Sequence, residues 1–439
     1  MEGLRPDGEK AMRSVEEFPR KVREMSVTEK QLRQAVDAAV QEVAVTDVHT
    51  HLYPPSFGGL LLWGVDELIT YHYLIAETLR IVDLPCAQYW AMSKPQQADL
   101  IWRTLFLDNS PYSEACRGVL TTLRELGLDA SARDLAAYRQ YFAGKTATEF
   151  VDIVFAKGGV KEVVMTNDPF DEAERQVWLR SPEVDPRFRA ALRLDGLLNA
   201  WPAACEKLAA WGYAVEAGLG ERTQAEVRRF LEEWSARLGA LYMAVSLPPT
   251  FTMPEESARA KLIENCALPV SRERNLPFAM MIGVKKLLNP DLQLAGDSLG
   301  KARIESVEYL CRAFPRNKFL VTMLSRENQH ELAVTARKFR NLMIFGCWWF
   351  LNNPSLIEEI TRLRCELLGV SFLPQHSDAR VLDQLVYKWR HSREVIARVL
   401  YDKYRDLMAT GWALDASEIR RDVGKLFGGN FWEFLGRAL

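Results

Sequence analysis

The chain has 439 residues, 48% of them hydrophobic and 26% charged, the balance of an ordinary soluble globular protein. A formal net charge of -2 excludes any global attraction for nucleic acid or an anionic membrane, so an anionic small molecule would have to be met by local arginines. The longest apolar stretches, such as "FGGLLLWGV", fall short of the ~18 residues a membrane span needs.

The N-terminus, "MEGLRPDGEKAMRSVEEFPRKVREM", is charged throughout and lacks the apolar core of a signal peptide. The seven cysteines are scattered without a CxxC pair, as free thiols of a cytoplasmic protein would be. A helical N-terminal segment is expected over about 1–40, and the whole chain, 1–439, reads as a single domain. Strands are then predicted at "VAVTDVHTH" (43–51), "KEVVMTND" (161–168), "RFRAALRLD" (187–195) and "ALYMAVSL" (240–247). Four more follow at "PFAMMIGV" (277–284), "NKFLVTML" (317–324), "NLMIFGCWW" (341–349) and "GVSFLPQHSD" (369–378). Most are near-continuous apolar runs, as in parallel strands covered on both faces. Helical patterns such as "QAEVRRFLEEWSARL" and "PSLIEEITRLRCELL" separate them. Eight alternations predict an α/β fold, a (β/α)8 TIM-like barrel. No GxGxxG follows a strand, which disfavours a doubly wound sheet. The first crossover is too long for a structureless loop, so a helical insertion over about 53–158 is expected above the barrel mouth.

Side chains of a strand alternate between faces, so His49 and His51 are expected on one face. At the C-terminal end of a barrel's first strand that face is the lumen, where two imidazoles can share one divalent cation. Two solvated polar histidines are the other reading. Asp378 ends the last strand, beside the first once a barrel closes. It reads as a ligand, a base or both, or as the N-cap of a helix in "SDARVLDQL". His376, two residues earlier, is a deeper lumen residue or a core histidine with its hydrogen bonds satisfied.

With His-x-His at one end and Asp378 at the other, the pattern resembles the amidohydrolase superfamily, and within it the uronate (glucuronate) isomerases. "DVHTHLYP" resembles that family's first-strand metal motif, and "YHYLIAETLR" carries its His-Tyr pair as His72 and Tyr73. "WAMSKPQQADLIWRTLF" resembles the stretch around a family tryptophan, here Trp102. "MTNDPFDEAE" is similar to Thr-Asp-Asp-Pro, with Asn167 for the first Asp, and "RLDGLL" to Arg-Pro-Asp, with Leu194 for proline. "GCWWFLNN" is similar to Gly-Ser-Trp-Trp-Phe-Asn, and "HSDAR" with "WRHSREVIARVL" to Thr-Asp-Ser-Arg and its Arg-His helix. The motifs keep the family's order from about residue 40 to the C-terminus. One departure marks a divergent member: where the family's fifth strand carries a lumen histidine, this chain has Met281, neither a proton carrier nor a good ligand for a hard cation.

The resemblance implies an aldose–ketose isomerase: D-glucuronate to D-fructuronate, or D-galacturonate to D-tagaturonate, through a cis-enediol. It implies one divalent metal ion on His49, His51 and Asp378. Zinc suits that donor set, as do manganese, ferrous iron and cobalt. Asp378 would also be the base, Tyr73 would shuttle protons between the oxygens, and His72 would donate a hydrogen bond. Arg193 and Arg380 would meet the substrate carboxylate or the enediolate, although Arg193 also reads as a structural ion pair with Asp195. Trp348 or Trp349 would form an apolar wall, with strand alternation turning one ring outward. The partner is a small-molecule sugar acid, and a homo-oligomer is compatible with a barrel of this size. The alternative is a metal-dependent hydrolase or decarboxylase of the same superfamily, using a metal-activated water.

Overall fold

The structure, a computed structural model, describes residues 27–439; residues 1–26 of the expected N-terminal helical segment lie outside the described residues. The described part of that segment is a helix, Glu29–Glu42, started by a capping box in which Gln31 takes the Thr28 N–H at 3.1 Å. Its apolar face buries Leu32, Val36, Ala39 and Val40.

Seven parallel strands follow in chain order: β1 (Val45–Thr50), β2 (Val160–Asn167), β3 (Phe188–Arg193), β4 (Met243–Leu247), β5 (Phe278–Ile282), β6 (Phe319–Met323) and β7 (Leu342–Ile344). Each pairs with the next. Their outward side chains, Val163, Met165, Val245 and Met280 among them, pack under the surrounding helices. Val48, Val164, Ala191, Ala244, Ala279 and Leu320 fill the lumen. Burial on both faces is the reason the strands read as unbroken apolar runs.

The expected eighth strand, 369–378, forms one isolated parallel bridge, Phe345 to Leu373, rather than a ladder. It still closes the barrel. On one side Gly346 N donates to Leu373 O (2.8 Å) and Leu373 N to Ile344 O (3.0 Å). On the other, Asp378 N donates to His49 O (3.1 Å) and His51 N to Ala379 O (2.8 Å). Regular pairing fails between these points for two local reasons. Pro374 has no N–H to give, and Asp378 turns left-handed at φ 51°.

The N-terminal end of the lumen is plugged by the last helix, Asn430–Gly436, whose Phe431 and Phe434 join the lumen cluster. The opposite end stays open beneath the insertion between β1 and β2, which contains the helices His72–Leu79, Lys94–Trp102, Glu114–Glu125 and Leu135–Ala143. A further helix, Ala147–Gly158, packs against β2 in the position of the barrel's own crossover helix. The turn Pro290–Gly296 reaches across the mouth from a short hairpin, packs on His72–Leu79, and accepts the Trp90 indole N–H on Asp291 O at 2.8 Å. No helix among the described residues is long and apolar enough to cross a membrane.

The long helix Gln384–Ala409 ties the two ends of the described chain together. Its buried Arg393 donates to Val40 O, to Val43 O (2.8 Å) and to Gly159 O (3.1 Å). Gly159 caps Ala147–Gly158 at φ 62°, and a Cβ there would come within 2.6 Å of the Arg393 guanidinium. Replacing Arg393 by Met leaves these carbonyls unmet, and a loss of about 3 kcal/mol in unfolding free energy is expected by denaturant titration.

Candidate metal centre and its cavity

β1 delivers His49 and His51 to the C-terminal end of the barrel, and the closing segment delivers Asp378 beside them. His49 Nε2 lies 3.4 Å and His51 Nε2 3.2 Å from the same oxygen, Asp378 Oδ1. One donor atom from each of the three residues fits within 4.8 Å of the others. His49 Nε2 and Asp378 Oδ1 are buried and make no hydrogen bond. Unpartnered buried donors aimed at one another are costly unless something sits between them, and a divalent cation is the group they fit.

The tautomers follow from the surroundings. Thr166 Oγ1 gives its proton to Thr50 O (3.1 Å), so it can only accept from His51 Nδ1, 3.0 Å away. Tyr242 Oη gives its proton to Val48 O (2.7 Å), which sets it as acceptor for His49 Nδ1 at 3.4 Å. Both imidazoles therefore carry Nδ1–H and turn an Nε2 lone pair toward Asp378. Burial, reinforced by the Arg380 charge, pulls His51 down to about 3, so it is neutral at working pH. A neutral His51 need lose no proton to bind a metal.

The strict alternation expected of β1 is interrupted. Its register against β2 slips between Asp47 and Thr50, and the strand ends before His51. Asp378 is not a helix cap: the helix starts at Gln384 after Asp383. Its left-handed backbone costs about 1–3 kcal/mol for a residue with a Cβ and persists only where neighbours over-determine it.

The triad faces a cavity of about 150 Å³ that also touches Arg193, Arg380, Met281, Trp348 and Trp349. His51, Arg193, Leu294 and Arg380 are shared with an adjoining cavity of about 430 Å³. The larger one is walled by Tyr71, His72 and Trp90 from the insertion and by Asp168, Asp171 and Glu174 after β2. Arg380 makes no ion pair among the described residues, while Asp195 holds Arg193 through two contacts of 3.0 Å. Both readings of Arg193 thus apply: it is a structural ion pair and it faces the cavities. His72 stays neutral, through burial first and Arg380 second, and its Nε2 has no partner.

Tyr73 packs against the lumen cluster that holds Trp348 and Trp349, with its ring on Tyr71 (5.1 Å) and Phe350 (5.8 Å); burial first, with the Asp378 charge among the lesser causes, raises its phenol. Tyr71 lines the larger cavity together with Tyr53; it precedes the helix in an extended conformation while Tyr73 sits in the first turn. Two expectations are corrected. Both Trp348 and Trp349 face the small cavity, since β7 has ended and the chain turns left-handed at Trp349 (φ 50°). His376 is buried in the lumen, 5.0 Å from the His49 ring, with both nitrogens unpartnered, so it is not a satisfied core histidine.

Thr166 and Tyr242 were missed by the sequence reading, for neither belongs to a motif with the histidines it orients. The carboxylates of "NDPFDEAE" at a strand end were a readable signal. Glu174 accepts from Tyr53 Oη, Asn167 Nδ2, the Asp168 N–H and Trp178 Nε1, and burial still pushes it up to about 7.

The fold and site together define a (β/α)8-type barrel with a His-His-Asp centre closing its seam. No family model and no curated protein matches the chain. Among solved structures, a uronate isomerase from Bacillus halodurans C-125 is 58% identical with a TM-score of 0.92, the match covering 94% of this chain and 97% of that one. The chain belongs to the uronate isomerase family. A uronate isomerase from Thermotoga maritima (15% identity, TM-score 0.74, 94% and 98% covered) and a glucuronate isomerase from Caulobacter crescentus (15%, 0.67, 94% and 96%) share the fold.

Thr166→Val deletes the acceptor that fixes the His51 tautomer while keeping the shape. Divalent-metal affinity, measured by equilibrium dialysis, is expected to fall about tenfold.

Proposed function

We propose that the chain interconverts an aldohexuronate and its ketose: D-glucuronate with D-fructuronate, or D-galacturonate with D-tagaturonate. The observation that carries this reading is the unpaired guanidinium of Arg380 beside the His49–His51–Asp378 centre, in a chain 58% identical to a uronate isomerase.

The reaction needs no oxidant. The C2–H bond breaks, the proton is returned to C1, and a hydroxyl proton moves from the oxygen on C2 to the oxygen on C1. His49, His51 and Asp378 would hold one divalent ion, zinc by the donor set. Once bound, that ion supplies Lewis acidity toward a substrate oxygen. Asp378, ionised and beside the reacting carbons, is the base that carries the C2 proton. His72, neutral with a free Nε2 on the cavity wall, moves the proton between the oxygens, with Tyr71 next to it.

The two arginines divide the anionic charge. The Arg380 charge bears on His51 and His72, so it lies where the enediolate forms. Arg193 lines the same two cavities, among Asp195, Asp168 and Tyr53. Asp195 occupies its Nε and Nη2, leaving Nη1 to read the carboxylate end of the substrate. Trp348 and Trp349 exclude water from the small cavity. Met281 lies on that wall too, so proton movement here does not use the fifth strand.

Incubating the metal-loaded protein with each hexuronate and following ketose formation is the direct test; no turnover of either would overturn the reading. Arg380→Met is expected to lower kcat by about 10²–10³, as loss of an oxyanion donor does. Arg193→Met is expected to act mainly on KM, raising it by about tenfold or more, the signature of lost binding common to ground and transition states.

A further inference from the structure

Asp378 reaches the histidines from a left-handed backbone that its own preferences oppose. The residue before it, Ser377, is gripped at both polar ends. Its N–H donates to Asp47 Oδ1 at 3.0 Å, and its carbonyl accepts from Lys388 Nζ at 2.5 Å. The other Asp47 oxygen accepts the Trp389 indole N–H at 2.8 Å. Asp47 and Lys388 are 0% and 4% exposed, and neither makes a direct ion pair among the described residues. A carboxyl and an amine are thus buried on opposite ends of one residue, each hydrogen-bonded to it. Asp47 also lies on β1, two residues before His49 and four before His51. The strand that brings the histidines therefore fixes the height of the segment that brings the carboxylate.

We propose that Asp47 and Lys388 are positioning residues for the metal centre: by holding the two ends of Ser377 they keep Asp378 left-handed, so that Oδ1 faces both Nε2 atoms. This inference rests on the reading of His49, His51 and Asp378 as metal ligands. Removing either charge lets the 377–378 peptide relax and turns the carboxylate away.

The test is a zinc titration of chelator-stripped full-length protein against a chromophoric competitor, for wild type, Asp47→Asn, Lys388→Met, Trp389→Phe and Arg393→Met. Asp47→Asn and Lys388→Met are expected to bind zinc about ten- to a hundredfold more weakly, the range for lost outer-shell support. Arg393→Met, which disrupts another buried cation of the same helix away from Ser377, should lose thermal stability yet bind zinc like wild type. Trp389→Phe keeps an aromatic side chain but loses the indole N–H with part of the ring system, and should weaken binding severalfold; it decides the matter if the Asp47 and Lys388 variants fail to fold. Wild-type affinity in Asp47→Asn and Lys388→Met, or in Trp389→Phe where those do not fold, overturns the proposal. So does an equal loss in Arg393→Met, which would mark a merely structural effect. A wild-type protein that binds no zinc would instead remove the metal reading, and this inference with it.

Discussion

The arrangement depends on one constraint: the barrel must close between its first strand and a last segment that cannot pair as a strand. Pro374 and the left-handed Asp378 spoil the ladder, so closure rests on a few backbone bonds, chiefly Asp378 N to His49 O and His51 N to Ala379 O. Those bonds place the carboxylate against the two imidazoles. A regular eighth strand would have satisfied the backbone and left Asp378 extended. The irregular seam places three metal-type donors at one point instead.

The rest of the molecule makes that point chemically useful. The aromatic plug of Phe431 and Phe434 fills the far end of the lumen, and the centre faces cavities at the opposite end. Burial keeps His51, His72 and His376 neutral. Arg380 then stands as an unneutralised cation next to a buried anion, whereas Arg193 is already balanced by Asp195. In a water-poor cavity such fixed charges act more strongly than they would in solvent, and they need not reorganise as negative charge develops on a bound sugar acid.

Much of this was legible before any coordinates. Apolar runs located seven strands to within a few residues, and barrel closure alone brings His49 and His51 next to Asp378. The family motifs marked His72, Arg193 and Arg380 as cavity residues. What escaped was set by backbone irregularity and by contacts distant in sequence. Alternation failed for Trp348 and Trp349 because the strand stops at Ile344. The partners that set the histidine tautomers, Thr166 and Tyr242, are over a hundred residues from the rings they orient. Asp47, inside "DVHTHLYP", reads as part of a metal motif and instead bonds Ser377 and Trp389.

The proposed centre requires both imidazoles to turn Nε2, not Nδ1, toward Asp378 and to share one divalent ion with it. Anomalous diffraction at the zinc edge from crystals of the zinc-loaded protein tests this most directly. A single anomalous peak is expected about 2.0–2.2 Å from His49 Nε2, His51 Nε2 and an Asp378 carboxylate oxygen. A peak ligated through Nδ1, or one away from Asp378, would contradict it.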